Sequence, residues 1–483
     1  MEKKSLTKNS IYYLVCQVLN VVFPFLTGMY VARILMPEAV GKVAYAQNIA
    51  QYFAILAFLG IPTYGIREVS KLRNNKELLS KTYTELMVIN FVSTSIFLLL
   101  YVLLILNVSR FKEDIYLYYI TGGSIILNYI NNTWLFDGLE EFRFTSIRNI
   151  IFKFICFFLL VLLVKTKEDY CIYAFINVFG TGGNYLINMF YTRKYVKLDF
   201  TNMRLKNHLK PIMILVTVNL AIELYSLVDV SMLGWFCDKK HVAFYSYGNK
   251  ICGIFRQLIN SFTMVVVPRL AFYYGGKDKE NFNRLISKTL KIIMVLGIPI
   301  MGGIQLTANN AIILLYGEKF IPSAGILKLL SLTLIISPVG YLLGSRVLLV
   351  TNNEKKMVLS VGAGAVINII CNYFLIQNYY EVGAAVASVI SEFVVMIIYV
   401  YLGRKFYILV DFSRTLMKTI FATVIMMILL SILGLLFKSI ISVLIIQVLV
   451  GVISYFLILI LLKEQLVVEF ADKVYQKLRR KSV

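Results

Sequence analysis

Long apolar stretches with few charged residues recur along the whole chain. They are about 20 residues long, the length of α-helix that crosses the roughly 30 Å hydrocarbon core of a bilayer. Only 16% of the 483 residues are charged and 59% are hydrophobic, so a soluble fold would have too few polar groups for its surface. The sequence therefore predicts an all-α polytopic membrane protein, because helices satisfy their own backbone hydrogen bonds in lipid.

The apolar windows predict about 14 transmembrane helices. Six precede a basic connection at 192–210, six follow it, and two precede a basic tail. The predicted spans are 10–31, 40–65, 82–106, 115–136, 147–164, 170–191, 211–235, 243–268, 288–315, 323–350, 357–377, 382–402, 417–437 and 442–462. We expect an N-terminal lobe over 1–205, a C-terminal lobe over 206–403, and two extra helices with a cytoplasmic tail over 404–483.

The two predicted lobes share an internal sequence repeat. At a shift of 202 residues, VAFYSYGNKICGIF (242–255) aligns with VGKVAYAQNIAQYF (40–53), and Arg269 aligns with Arg67. An even number of spans in each lobe gives both lobes the same orientation in the membrane. They are then related by a pseudo-two-fold axis along the membrane normal, which is typical of transporters whose halves rock against each other.

Lys and Arg are unevenly divided between alternate connections. One set of connections carries roughly three times as many as the other, which by the positive-inside rule makes the richer side cytoplasmic. Both termini and the 192–210 connection are therefore predicted to be cytoplasmic. The net charge of +23 orients the chain in the membrane and does not indicate a nucleic-acid partner.

No motif for catalysis, metal binding or a cofactor is present in the sequence. The six Cys lie in or beside apolar spans without CxxC spacing, and the two His lie in connections, so neither a zinc site nor a disulfide framework is predicted. The chain has no Walker A sequence and no cluster of catalytic His or carboxylates. We expect a protein that is not an enzyme and that uses no cofactor.

Charged residues inside two neighbouring predicted spans are the strongest indication of a functional site. Glu223 and Asp229 lie on the span at 211–235, and Lys250 and Arg256 lie on the next one. At 1.5 Å per residue, Glu223 and Arg256 lie at similar depths, and so do Asp229 and Lys250. The four form either two structural ion pairs or a polar wall whose cations meet an anionic substrate.

The first lobe carries amide side chains at similar depths. The candidates are Gln17 and Asn20 on its first span and Gln47, Asn48 and Gln51 on its second. Amides suit the hydroxyl groups of a sugar, and they suit hydrogen bonds between helices equally well. The sequence leaves these two roles open.

Four segments resemble the Wzx-type flippases of lipid-linked oligosaccharides, a polysaccharide biosynthesis family within the multidrug/oligosaccharidyl-lipid/polysaccharide exporter superfamily. YVARILMPEAVGKVAYAQNIAQYF (30–53) and GIPTYGIREVSK (60–71) resemble the family's first outer turn and first inner loop. DVSMLGWF (229–236) and VPRLAFYYGG (267–276) resemble the matching parts of the second lobe. The resemblance runs nearly the full length of the chain.

The resemblance implies a function. Such proteins carry undecaprenyl-diphosphate-linked oligosaccharide repeat units from the inner to the outer leaflet of the bacterial plasma membrane, for capsule, O-antigen or exopolysaccharide synthesis. A polysaccharide polymerase and glycosyltransferases are then candidate partners. Two positions depart from the family pattern: Met36 stands where relatives usually carry Gly, and Val230 stands where many carry Lys.

Three alternatives stay open at the level of sequence. A multidrug antiporter of the same superfamily would favour carboxylates in its site, in order to bind organic cations. A flippase for peptidoglycan or teichoic-acid precursors would have the same composition. A membrane enzyme acting on the same lipid-linked sugar would need a catalytic cluster.

Overall fold

The chain folds into α-helices joined by short connections. The computed structural model describes the backbone of residues 6–410, 412–436, 439–469 and 471–472, and the side chains of this part except those of 6–18, 21 and 214–224. Within it lie 18 α-helices and no strand. They are α1 (Leu6–Phe58), α2 (Ile61–Leu72), α3 (Lys76–Asn107), α4 (Ser109–Lys112), α5 (Ile115–Ile126), α6 (Thr133–Gly138), α7 (Phe142–Leu163), α8 (Tyr170–Thr192), α9 (Leu205–Phe236), α10 (Lys239–Val265), α11 (Val267–Gly275), α12 (Lys279–Tyr316), α13 (Pro322–Ser331), α14 (Thr333–Gly340), α15 (Val347–Val350), α16 (Glu354–Gly403), α17 (Phe412–Leu436) and α18 (Ile440–Leu461).

The helices confirm the predicted class of fold. In the described part of the chain, nine helical segments are long and apolar enough to cross a bilayer. The last two predicted spans coincide with α17 and α18, and the predicted span at 170–191 coincides with α8. The expected total of about 14 crossings stays a prediction.

Two long helices each contain a sharp break at one residue. Met36 interrupts α1 with φ 63° and ψ 166°, and Tyr380 interrupts α16 with φ 49° and ψ −129°. Each break divides its helix into two segments of more than 20 residues. The break at Met36 falls in the segment that the sequence predicts as the first outer turn, and its dihedral angles belong to a region that is essentially reserved for glycine.

Helix boundaries recur along the chain at nearly the spacing of the sequence repeat. The break at Met36 corresponds to the connection at Cys237 and Asp238 between α9 and α10. The cap of α3, where Asn75 accepts a hydrogen bond from the backbone N–H of Leu78, corresponds to the cap of α12, where Asp278 accepts one from the N–H of Asn281. Equivalent helices thus begin at equivalent places in the two repeats.

The chain divides into two compact units, Met1–Ala243 (unit 1) and Phe244–Val483 (unit 2). In unit 1, α1 packs against α3, α5, α7 and α9. In unit 2, α12 packs against α13, α17 and α18. By packing, α9 therefore belongs with unit 1, whereas the sequence assigns residues 206–403 to the second lobe. The division at 205 stays a prediction.

Candidate functional site

A half-buried arginine is the centre of the polar interior of unit 2. Arg256 on α10 donates a hydrogen bond from Nη2 to Oγ1 of Thr333 at 2.8 Å, and the same nitrogen lies 3.8 Å from Sγ of Cys252. Its Nε is buried and has no hydrogen-bond partner among the residues that the structure describes. The guanidinium carries five N–H donors, more than these contacts use.

A carboxylate on another helix acts on the same guanidinium. Glu392 on α16 accepts a hydrogen bond from Oγ of Ser337 on α14 at 2.8 Å, and its charge interacts with that of Arg256. We call Arg256, Thr333, Ser337 and Glu392 the Arg256 cluster. The cluster connects α10, α14 and α16 within unit 2, and its two charges compensate each other in a medium of low dielectric.

An irregular helical turn lies directly beside this cluster. Residues Tyr341–Arg346 form a π-helix between α14 and α15, a geometry that is often found at functional sites. Gly344 in this turn packs against Tyr399 of α16, where a Cβ atom would lie 2.1 Å from the Cβ of the tyrosine. The turn therefore requires a glycine at this position in order to approach α16.

The second predicted cation, Lys250, is half-buried on α10. Its Nζ lies 5.8 Å from the ring centroid of Tyr247, within the distance of a cation–π interaction. Tyr247 in turn contacts the rings of Tyr316 and Phe320. Lys250 and Arg256 thus lie on the same helix of unit 2, in an aromatic and a polar environment respectively.

An apolar groove of about 320 Å³ lies in unit 2 between α10, α12, α17 and α18. Pro299, Gly303 and Gly451 are among the residues that line it, as is Phe255, which directly precedes Arg256. Successive side chains on a helix are about 100° apart. One side chain of α10 therefore contributes to the groove while the next belongs to the Arg256 cluster.

In unit 1, two of the predicted polar residues lie on α1 and α9, which pack against each other. Asn48 on α1 donates to the carbonyl oxygen of Leu227 at 3.3 Å and accepts a hydrogen bond from Oγ of Ser231 at 2.7 Å. Asp229 is buried on the same helix as Ser231, and its charge acts on Tyr52. Asn48 therefore forms hydrogen bonds between α1 and α9, one of the two roles that the sequence leaves open.

The other amide candidates differ in exposure. Gln47 is half-buried, and Gln51 and Asn20 are exposed on α1. The side chains of Gln17 and Glu223 lie outside the described residues. Asp229 belongs to unit 1 and Lys250 to unit 2, so both predicted ion pairs, Glu223 with Arg256 and Asp229 with Lys250, stay predictions.

Two buried polar groups of unit 1 were not predicted from the sequence. Arg148 on α7 is 5% exposed and donates hydrogen bonds to Asn184 and Asn188 of α8. In the sequence Arg148 resembles a charge in a connection. Two asparagines four residues apart on the next span lie on one face of a helix, and such a pair could have indicated a buried polar partner.

The second group is a chain of three side chains near the start of α9. Nε2 of His208 lies 2.8 Å from Oε2 of Glu85, and Nδ1 of His208 lies 2.8 Å from the hydroxyl of Tyr64. Glu85 also accepts a hydrogen bond from the backbone N–H of Arg204 at 2.6 Å. These bonds attach the first turn of α9 to α2 and α3. Nothing in the spacing of His208 and Glu85 along the sequence predicts their contact.

One carboxylate of the 192–210 connection has a shifted pKa. Two hydrogen bonds from Thr201, one from its hydroxyl at 2.6 Å and one from its backbone N–H at 2.9 Å, lower the pKa of Asp199 below its usual value. The carboxylate is therefore charged at neutral pH. It forms a turn that positions the backbone of this connection.

The fold and the buried charges define a multi-pass helical membrane protein of the transporter type. Residues 6–273 match the model of a family described as "Polysaccharide biosynthesis protein", and residues 141–460 match a model described as "Lipid II flippase MurJ". The chain belongs to the polysaccharide biosynthesis protein family.

Proteins of known sequence and of known structure are similar to this chain. A protein of Escherichia coli (strain K12), whose name assigns it provisionally to O-antigen transport, is 23% identical over 410 residues, which cover 81% of this chain and 94% of the relative. The structure of the lipid II flippase MurJ in an inward closed conformation superimposes with a TM-score of 0.74 at 16% identity, covering 94% of this chain and 98% of that one. An inward-facing multidrug resistance MATE transporter of the MOP superfamily gives a TM-score of 0.61 at 15% identity, covering 82% and 97%.

Proposed function

We propose that this protein is a flippase that moves an undecaprenyl-diphosphate-linked oligosaccharide from the inner to the outer leaflet of a bacterial plasma membrane by alternating access. The observation that carries the proposal is the adjacency of Phe255 and Arg256 on α10, one in the apolar groove and the other in the Arg256 cluster. A lipid-linked diphosphate needs both environments, because it joins an apolar chain to a strongly hydrated anion.

The energetic problem of transport lies in the diphosphate and the sugar. Their charges and hydroxyl groups lose water in hydrocarbon, at a free-energy cost of several kcal/mol for each polar group without a partner. Arg256 and Lys250 replace that water for the diphosphate, and Asn20, Gln47 and Gln51 replace it for sugar hydroxyls. The polyprenyl chain occupies the groove and continues into the surrounding lipid.

The membrane potential contributes to the direction of transport. Moving two negative charges outward across an inside-negative membrane is favourable by roughly 4 to 5 kcal/mol per 100 mV, when no other ion moves. The substrate leaves chemically unchanged, and both termini face the cytoplasm. There the 192–210 connection is available to glycosyltransferases, and a polysaccharide polymerase uses the translocated unit.

A second substrate class is favoured by one comparison. The lipid II flippase model matches residues 141–460, and a peptidoglycan or teichoic-acid precursor carries the same diphosphate and polyprenyl groups. Transport in proteoliposomes distinguishes the classes when polyprenyl-diphosphate oligosaccharide, lipid II and an organic cation are offered separately. Our proposal predicts the highest rate for the oligosaccharide, and efflux of the cation alone would contradict it.

A further inference from the structure

Unit 1 contains a second cavity, of about 770 Å³, which is separate from the Arg256 cluster. It lies between α3, α8 and the connection at 193–200, and Asn132 and Thr192 form a polar part of its wall. Met87 and Phe91 of α3, together with Met189 of α8, form an apolar part. The volume lies within the range of pockets that bind small molecules.

The connection at 193–200 is fixed against α3 by its backbone. The N–H of Lys197 donates to Oγ of Ser80 at 3.1 Å, and the N–H of Asp199 donates to Oγ1 of Thr84 at 2.9 Å. These two hydrogen bonds hold the segment along α3. The wall of the cavity is therefore formed before any ligand binds.

Both basic and apolar side chains line this wall. Arg193 and Lys197 are exposed cations that line the cavity. Leu198 and Phe200 also line it, and they are 63% and 59% exposed. Large apolar side chains that are exposed beside cations are typical of a segment at the interface between lipid headgroups and acyl chains.

The apolar part of the cavity continues into the membrane-facing surface of α3. Phe91 is 61% exposed and Met189 is 45% exposed. From Tyr83 to Phe91 the cavity follows α3 for about 12 Å along the helix axis. A ligand that fits must therefore be anionic at the end near Arg193 and apolar along the rest of its length.

We infer that this cavity binds an anionic phospholipid of the cytoplasmic leaflet. The headgroup phosphate lies at Arg193 and Lys197, and one acyl chain runs along Met87 and Phe91. The charge distribution of the sequence places the 192–210 connection on the cytoplasmic side, where basic pockets between transmembrane helices bind anionic headgroups. The inference does not depend on transport, since it concerns a permanent lipid ligand of unit 1.

The thermal stability of the purified full-length protein in detergent tests the charge requirement. Titration with phosphatidylglycerol should raise Tm, whereas phosphatidylethanolamine with the same acyl chains should leave it unchanged. The double variant Arg193→Gln with Lys197→Gln should weaken the apparent affinity for phosphatidylglycerol about 25-fold, because each cation contributes roughly a factor of five. Equal stabilisation by the two lipids would overturn the inference.

A matched variant controls for the loss of net charge. Arg404 and Lys405 are exposed and follow α16, as Arg193 follows α8 in the other repeat. Arg404→Gln with Lys405→Gln should retain the affinity of the unmodified protein. If this variant lost as much affinity as the Arg193 and Lys197 double variant, phosphatidylglycerol would be attracted by the overall charge of the protein. That result would contradict a site in unit 1.

The requirement for an acyl chain is tested by substitutions that fill the cavity. Val88→Trp places a large side chain in the lining, whereas Val92→Trp adds the same side chain one turn further along α3, at an exposed position outside the lining. Only Val88→Trp should reduce the effect of phosphatidylglycerol. Glycerol 3-phosphate, which has no acyl chain, should have no effect, and stabilisation equal to that by the lipid would indicate a free phosphate site instead.

Discussion

Arg256 and Thr333 are joined by a hydrogen bond of 2.8 Å from the guanidinium to the threonine hydroxyl. The bond connects α10 to the first residue of α14 within unit 2. Because Nε of the same arginine has no partner among the described residues, the guanidinium is anchored by one nitrogen and keeps N–H donors that these contacts do not use. This arrangement suits a side chain that must remain in place while a substrate arrives and leaves.

The coupling between Arg256 and Glu392 is measurable without a substrate. We expect Arg256→Gln and Glu392→Gln each to lower the free energy of unfolding in mixed micelles. The decrease in the free energy of unfolding of the double variant should be smaller than the sum of the decreases of the two single variants. The difference is an interaction free energy of about 0.5 to 3 kcal/mol. Strictly additive losses would show that the two charges do not act on each other.

The apolar groove should be sensitive to added volume. A Cβ atom on Gly303 or on Gly325 would meet no other atom within 4 Å, but only Gly303 lines the groove. Gly303→Leu should reduce transport of a substrate with a full-length polyprenyl chain more than that of a short-chain analogue. Gly325→Leu is the control, and it should reduce the transport of both substrates only slightly and to the same extent.

The break at Met36 should respond to glycine. Its φ of 63° with ψ of 166° costs a residue with a side chain about 1 to 3 kcal/mol, so Met36→Gly should raise the stability by this amount in thermal or chemical unfolding. Met29→Gly, within the first half of α1, should lower it by about 1 kcal/mol. A loss of stability in both variants would contradict the conformation at Met36.

Removal of Arg148 should destabilise unit 1. Arg148→Leu leaves the oxygens of Asn184 and Asn188 without these donors, and an unpaired group that is buried, as Asn188 is, costs about 1 to 3 kcal/mol. Lys165→Leu, an exposed position just beyond α7, should change stability by no more than about 0.5 kcal/mol. Equal effects of the two substitutions on the unfolding midpoint would show that the Arg148 bonds contribute nothing.

The helical class and most helix positions could be predicted from the sequence, because hydrocarbon imposes a length and a composition on every span. The turn at Met36 could also be located, since polar and basic residues interrupt the apolar pattern there. Its conformation at a single residue could not be predicted, because a methionine does not indicate a positive φ.

The candidate site was predicted less completely. Arg256 and Lys250 stand out because charges are rare inside spans, but the partners of Arg256 depend on packing. Thr333 and Ser337 are ordinary residues in an apolar stretch, and only the arrangement of α10, α14 and α16 brings them to Arg256 and Glu392. Arg148 is close enough to the end of its span to resemble a loop charge, so burial alone distinguishes it.

The most direct test of the proposed function is the rate at which a polyprenyl-diphosphate oligosaccharide appears on the outer face of proteoliposomes. The protein should transport it, and Arg256→Ala with Lys250→Ala should lower the rate at least tenfold, because a hydrogen bond to a charged group contributes about 1.5 to 3 kcal/mol. Arg404→Ala with Lys405→Ala should retain transport. Full transport by the Arg256 and Lys250 double variant, or efflux of organic cations with no oligosaccharide transport, would contradict the account.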